Sequence, residues 1–283
     1  LSNNRDLRLA ALNADKVKAL YGIQRAELLP SVNAIGSGSK GRTPADLSYS
    51  KTDVVTEQYS VSLGVVSWEI DFFGRIRSLK DRAWEEYMAS DQARRSAQTI
   101  LVSAVAGAYY TLAADRDNLE LVTSTLKTQE YAYKLISKRY EVGLASQLDL
   151  RRSQTQVDAA RRDVALYTQL AAQDENALNL LAGTNVTQEL MPANLASVSP
   201  PKAVSAGLSS EVLLSRPDVL AAEHRLKAAN ASIGAARAAF FPRISLTSTI
   251  GTASAELSGL FRAGSKTWTF APQIVMHIFD ART

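Results

Sequence analysis

The chain has 283 residues, of which 46% are hydrophobic, enough apolar content for one large or two smaller domains. A formal charge of +4 comes from Lys and Arg interspersed with Asp and Glu, which reads as solvated helix faces rather than a nucleic-acid stripe. The absence of cysteine excludes disulfides, thiolate metal sites and a cysteine nucleophile, and no unbroken run of 18 apolar residues announces a transmembrane helix.

Ser2, Asn3 and Asn4 resemble a helix start already under way, so the pattern expects further chain before Leu1, and no signal peptide is visible. From Asn4 to Leu29 an amphipathic helix is predicted through Leu7, Ala10, Ala11, Ala14, Val17 and Leu20, stopped by Pro30. Val32, Ala34, Gly36 and Gly38 then suggest a strand that dissolves into the Gly, Ser, Lys and Pro of residues 36 to 53. A second strand alternates Tyr59, Val61, Leu63 and Val65 with Ser60, Ser62, Gly64 and Val66. Apolar on one face and small or polar on the other suits a sheet between lipid and water, and equally any half-buried antiparallel hairpin. Trp68, Phe72 and Phe73 close the strand at positions that suit interfacial or core aromatics alike.

Arg75 to Gly183 holds the strongest signal. Leu101, Val105, Ala108, Leu112, Asp115, Leu119, Val122, Leu126, Gln129, Tyr133, Ile136 and Tyr140 follow a coiled-coil period with polar interruptions. The same spacing resumes at Leu150, Ser153, Val157, Ala160, Val164, Tyr167, Ala171, Asp174, Leu178 and Leu181, predicting an antiparallel hairpin with a left-handed supercoil. The outgoing helix spans Arg75 to Val142, about 100 Å at ~1.5 Å per residue. A second stripe follows Ala114, Leu121, Ala132 and Leu135, then Leu148, Ala159, Leu166, Leu170, Ala177 and Leu180, so each helix expects neighbours on both sides, as in a ring of helices. At the break, Gly143 suits a left-handed cap, and Ser146 with Asp149 forms a capping-box pattern. Val142, Gly143, Leu144, Ala145 and Ser146 thereby stand at the end of a long rod, as a docking surface or as turn packing.

Gly183 to Ser210 reads as a connector. At a spacing of 212 residues the opening pattern then recurs: Asp6, Ala10, Ala19, Gly22, Arg25, Ala26 and Pro30 match Asp218, Ala222, Ala231, Gly234, Arg237, Ala238 and Pro242. This internal duplication predicts a strand at Ile244, Leu246, Ser248 and Ile250, a loop from Gly251 to Lys266, and a last strand from Trp268 through His277, with Pro272 at a bulge or an edge. It also predicts a second helical hairpin after Thr283. Four strands cannot close a barrel, which needs at least about eight, so closure calls for oligomerisation.

Leu214 to Leu246 (LSRPDVLAAEHRLKAANASIGAARAAFFPRISL), Trp68 to Arg77 (WEIDFFGRIR) and Tyr140 to Asp149 (YEVGLASQLD) resemble the outer-membrane efflux proteins of the TolC and OprM type. The resemblance covers essentially the whole chain and is nearest to the OprM-like lipoproteins of Pseudomonas-type tripartite pumps. It implies a mainly α fold with β, in which long antiparallel coiled-coil helices form a helical barrel and the strands a transmembrane β-barrel shared between protomers. The implied organisation is an equatorial helix and barrel strands at 1–74, the periplasmic hairpin at 75–183, an equatorial linker at 184–210, and a second-repeat helix and strands at 211–283. Localisation is then the outer membrane of a Gram-negative bacterium, extending into the periplasm.

The implied function is a passive exit duct for drugs and other small molecules. Its implied partners are a periplasmic adaptor at the Val142, Gly143, Leu144 and Ser146 turn, an inner-membrane pump, outer-membrane lipid and two further copies in a homotrimer. Trp68, Phe72 and Trp268 are the candidate interfacial aromatics. Such proteins usually carry an acylated N-terminal cysteine, which this chain does not show. Alternatives are a soluble periplasmic scaffold or adaptor, and a protein-export duct of the same fold.

No enzyme, cofactor or metal site is read. His224 and His277 stand isolated, Gly36-Ser37-Gly38 lacks the following helix that phosphate binding needs, and Glu69 with Asp71 reads as an acidic ring at a pore mouth or a solvated pair.

Overall fold

The computed structural model describes residues 3–200, 203–204, 206–276 and 278. The elements are α1 (Arg5–Ala26), β1 (Val32–Thr43), β2 (Val54–Glu69), α2 (Arg75–Glu141), α3 (Gln147–Ala182), α4 (Pro217–Ala238), β3 (Arg243–Ser254) and β4 (Lys266–Val275). The duplication is carried by the elements: α1 and α4 both have 22 residues, β1 and β3 both have 12, and the start of β4 lies 212 residues after that of β2. Two compact units result, Leu1–Ala14 with Asp91–Leu220 and Asp15–Ser90 with Ala221–Thr283.

In the first unit α2 and α3 meet along the predicted seam. Its residues from Leu101 to Ile136 and from Leu150 to Leu181 are all buried or half-buried, with Leu101, Leu112, Val157, Ala160, Ala171 and Leu178 deepest. Leu121, Leu135, Leu148, Leu166 and Leu180 of the second stripe remain exposed. The connector packs onto the hairpin, Met191 joining Leu112, Ala171 and Leu178 in one cluster. Arg116 fastens it there by donating to the Pro192 carbonyl at 2.6 Å and pairing with Glu175.

In the second unit the strands form one antiparallel sheet in the order β1-β2-β3-β4. Residues opposite one another in register share a face. Val61, Leu63, Ile250, Trp268, Phe270 and Ile274 therefore share one face, and all six are exposed. The other face carries Ser37, Ser60, Ser62, Thr249, Thr269 and Gln273. Glycine is required where the strands crowd: a Cβ on Gly64 would lie 2.2 Å from the Ser248 carbonyl oxygen, and one on Gly251 would lie 2.1 Å from that of Val61.

Several expectations are corrected. β1 continues to Thr43 because all 12 of its residues pair with β2, and the Tyr59 ring covers Gly38. β3 likewise passes Gly251 and ends at Ser254, held by β2 and β4. Pro272 does lie on an edge strand, but it pairs with Leu246 in unbroken register. The bulge falls instead between Val65 and Trp68, where Ser67 takes φ +55° and its N–H donates to Thr247 Oγ1 at 3.1 Å. That extra residue returns Trp68 to the apolar face opposite Leu246. His277 lies outside the described residues.

Glu69 and Asp71 are not a solvated pair. Arg75 grips Glu69 through two bonds of 2.8 and 2.7 Å, and Asp71 caps α2 by accepting from the Ile76 and Arg77 N–H groups at 3.2 and 2.9 Å. Partial burial pushes the Asp71 carboxyl up, but the Arg77 and Ile76 amides and the Arg77 guanidinium outweigh it and hold the group below its usual range. The transmembrane reading also changes: α2 contains one window apolar enough, by length and composition, to cross a membrane. Averaged over 18 residues, its Ala, Val, Leu and Ile content outweighs the polar residues that break a continuous run.

Asp174 interrupts the seam opposite Asp115. Burial, then the Asp115 charge, pushes its carboxyl above the usual range, and its Oδ2 finds no partner among the described residues. Between the unfolded and the raised folded pKa the unfolded chain is ionised while the folded chain keeps its proton, so rising pH favours unfolding. Asp174→Asn should therefore be more stable than the parent chain at neutral pH, the difference shrinking on acidification. Thermal unfolding followed by circular dichroism across pH tests this, and parallel profiles would contradict it.

Candidate functional site

Two features distinguish this chain from an ordinary helical bundle: the turn between α2 and α3, and the apolar sheet face. At the turn, Gly143 adopts φ +78°, its N–H donates to Tyr140 O at 3.0 Å, and the Leu144 N–H donates to Arg139 O at 2.7 Å. This is the Schellman arrangement, in which the residue after the glycine usually packs back onto the last turn. Here the residue facing it is Arg139, and Leu144 stays 69% exposed beside Val142 at 68%. Ala145 is half-buried and Ser146 exposed. Turn packing thus does not account for the apolar side chains at this tip.

α3 restarts at once. Ser146 Oγ accepts from the Asp149 N–H at 3.1 Å, and Asp149 Oδ2 accepts from the Ser146 N–H at 3.2 Å. Hydrogen bonds from Ser146 hold the Asp149 carboxyl below its usual range. The tip is therefore fixed by backbone and capping bonds, with the Val142 and Leu144 side chains left exposed.

On the sheet, Trp68 and Trp268 stand on the apolar face opposite Leu246 and Ile250 of β3. Those positions are four residues apart, about 13 Å along the strand at ~3.3 Å per residue. Trp268 is exposed, Trp68 half-buried and Phe72 exposed beyond the strand end, while Phe73 stacks on Phe241 at 4.8 Å. Towards the β1–β2 turn the apolar face gives way to charge, with Lys40 bonded to Glu57 and Arg42 to Asp53. Sequence reasoning missed these cross-strand pairs because it ended β1 near Gly36.

His224, read as isolated, bonds to Glu85 at 2.6 Å and joins α4 to α2 within the second unit. Gly234 nearby sits against Ser78, with a Cβ there only 2.9 Å from the Ser78 hydroxyl. Helical spacing of Ala221, Ala228 and Ala235, all buried, was the available signal for this packing face.

The sequence profile of the family described as "Outer membrane efflux protein" matches residues 1–184 and 208–283. The chain belongs to the outer membrane efflux protein family. The antibiotic efflux pump outer membrane protein ArpC of Pseudomonas putida is 50% identical over 281 residues, covering 99% of this chain. The chain spans 58% of the length of that relative. Among solved structures, a membrane protein from Pseudomonas aeruginosa superimposes with a TM-score of 0.94 at 42% identity, covering 99% of this chain and 63% of that one. The open state of the Neisseria gonorrhoeae MtrE outer membrane channel gives 0.85 at 39% identity, covering 98% and 61%. The fold is accordingly that of this family, long antiparallel helices with an antiparallel sheet, as the sequence resemblance implied.

The capping geometry generates a prediction. Ser146→Ala should cost about 1 kcal/mol of α3 stability, read as faster amide exchange in the first turn of α3. The Asp149 half of the cap, with its lowered pKa, contributes above the ordinary carboxylate range and is lost as pH falls through the folded value. Unchanged exchange in the variant would contradict the capping role.

Proposed function

We propose that the protein is the outer-membrane channel of a tripartite efflux system, a passive exit duct for small molecules such as antibiotics. The observation that carries this reading is the sheet with one exposed apolar face and one polar face: the first suits lipid and the second a watery lumen. Family membership and the likeness to the antibiotic efflux pump outer membrane protein ArpC support it. Because a quartet of strands leaves β1 and β4 as open edges, three protomers in a homotrimer share one barrel, each edge pairing with a neighbour's. The open second stripe of α2 and α3 takes part in a helical barrel in the same way.

Energy comes from an inner-membrane pump, and a periplasmic adaptor meets the tip at Val142, Gly143, Leu144, Ala145 and Ser146. Trp68, Phe72 and Trp268 face the membrane. The two tryptophans stand closer together than the ~25 Å height of an apolar band, so they do not bracket it. Trp68 and Phe72 mark the edge near α2, and Trp268 lies within the band. A soluble scaffold has no use for the exposed apolar face, and the efflux names of the relatives favour small molecules over proteins as cargo.

In cells relying on the full-length channel, Leu144→Asp or Gly143→Pro should lower antibiotic resistance several-fold towards that of a channel-deleted strain, while trimers still assemble in the outer membrane. Normal resistance with normal assembly would remove the tip from adaptor docking.

A further inference from the structure

The charge on the long hairpin is unevenly placed. Residues 127–152, the tip together with the adjoining ends of α2 and α3, hold six Lys or Arg against three Asp or Glu, whereas the rest of α2 and α3 holds nine against eleven. Lys127, Lys134, Lys138, Arg139, Arg151 and Arg152 are all exposed. Of the carboxylates beside them, Glu130 pairs with Arg161 at 3.1 Å, Asp149 closes the Ser146 cap with Arg139 and Arg152 near it, and Glu141 accepts from Ser137 at 3.4 Å, so six cations against three carboxylates leave this end of the hairpin with a surplus of three positive charges.

Helix electrostatics explains only part of this. Lys138 and Arg139 lie in the last turn of α2, where cations complement the helix dipole. Arg151 and Arg152 lie just past the first turn of α3, near the positive end of its dipole, and gain nothing from it. The cations also surround exposed apolar groups: Val142 and Leu144 at the turn, and Tyr131 and Leu135, which with Lys134 and Lys138 line a hollow on α2. A rigid apolar point within a positive surround suits a protein surface of opposite charge better than a bilayer, into which two small side chains insert weakly.

We infer that the surface received by this tip is acidic: the docking end of the periplasmic adaptor carries surplus carboxylates around an apolar seat for Val142 and Leu144. This rests on the reading of the tip as the adaptor-docking end. Opposite charge would speed encounter and fix the register of docking, and its effect would fade with salt as the screening length falls.

The test uses the full-length channel in detergent, the purified periplasmic adaptor of the same system, and kinetic binding measured between about 0.05 M and 0.5 M salt. The parent channel should lose about tenfold or more in association rate over that range. The triple variant Lys138→Glu, Arg139→Glu, Arg152→Glu should associate slowly at low salt, with its salt dependence flattened or reversed, while its trimers remain intact. Salt-insensitive binding that Leu144→Asp abolishes and the triple variant leaves unchanged would overturn the acidic partner and keep the docking reading. No adaptor binding by the parent channel would overturn both. Salt-dependent binding to phosphatidylglycerol vesicles in place of the adaptor would assign the positive surround to an anionic membrane and overturn the inference.

Discussion

A sheet that turns Val61, Leu63, Ile250, Trp268, Phe270 and Ile274 outward is stable only where the medium on that side is not water. At about 25 cal/mol per Å², an exposed apolar face of this kind is a large penalty in solution and a large gain in lipid. Lipid in turn forbids unpaired backbone groups, so β1 and β4 cannot remain open edges there. In the proposed channel, oligomeric closure follows from the same constraint that would seat the sheet in a membrane. The Val65/Trp68 bulge serves it locally by keeping Trp68 in phase with the apolar face, and Gly64 and Gly251 serve it by letting β2 and β3 approach where no Cβ fits.

The helical part obeys a different constraint. A single seam holds α2 to α3, but Asp115 and Asp174 interrupt it, and Arg116 next to them is spent on Glu175 and the connector. These polar groups reduce the stability available from leucine and alanine packing alone. They also tie the connector to one height on the hairpin, through Arg116 to Pro192 and through the Leu195 N–H to Asp117 at 3.2 Å. Well-ordered polar contacts of this type favour a unique register over maximal stability.

Much of this was legible in the residues. The 3.5-residue period reported the helices to within a residue at the tip, because burial along a long seam overrides every local ambiguity. The duplication located α4 and both later strands. Strand ends were harder: Gly36, Gly38 and Gly251 have poor strand propensity by themselves and are held in place by partners distant in sequence. Glu69 and Asp71 were misread for a related reason. Spacing shows two carboxylates on alternating positions, but their partners Arg75, Ile76 and Arg77 are brought back to them only when the chain turns at Gly74, φ +81°.

The central claim is that the two faces of the sheet meet different media, and thiol accessibility tests it most directly. No cysteine occurs in residues 1–283, so each introduced thiol is unique within them. In the full-length protein reconstituted in lipid, Ser60→Cys and Thr249→Cys on the polar face should react with a membrane-impermeant charged maleimide. Leu63→Cys and Ile250→Cys should be shielded from it until detergent is added. Equal labelling of all four in lipid, or labelling of the apolar face alone, would contradict the account.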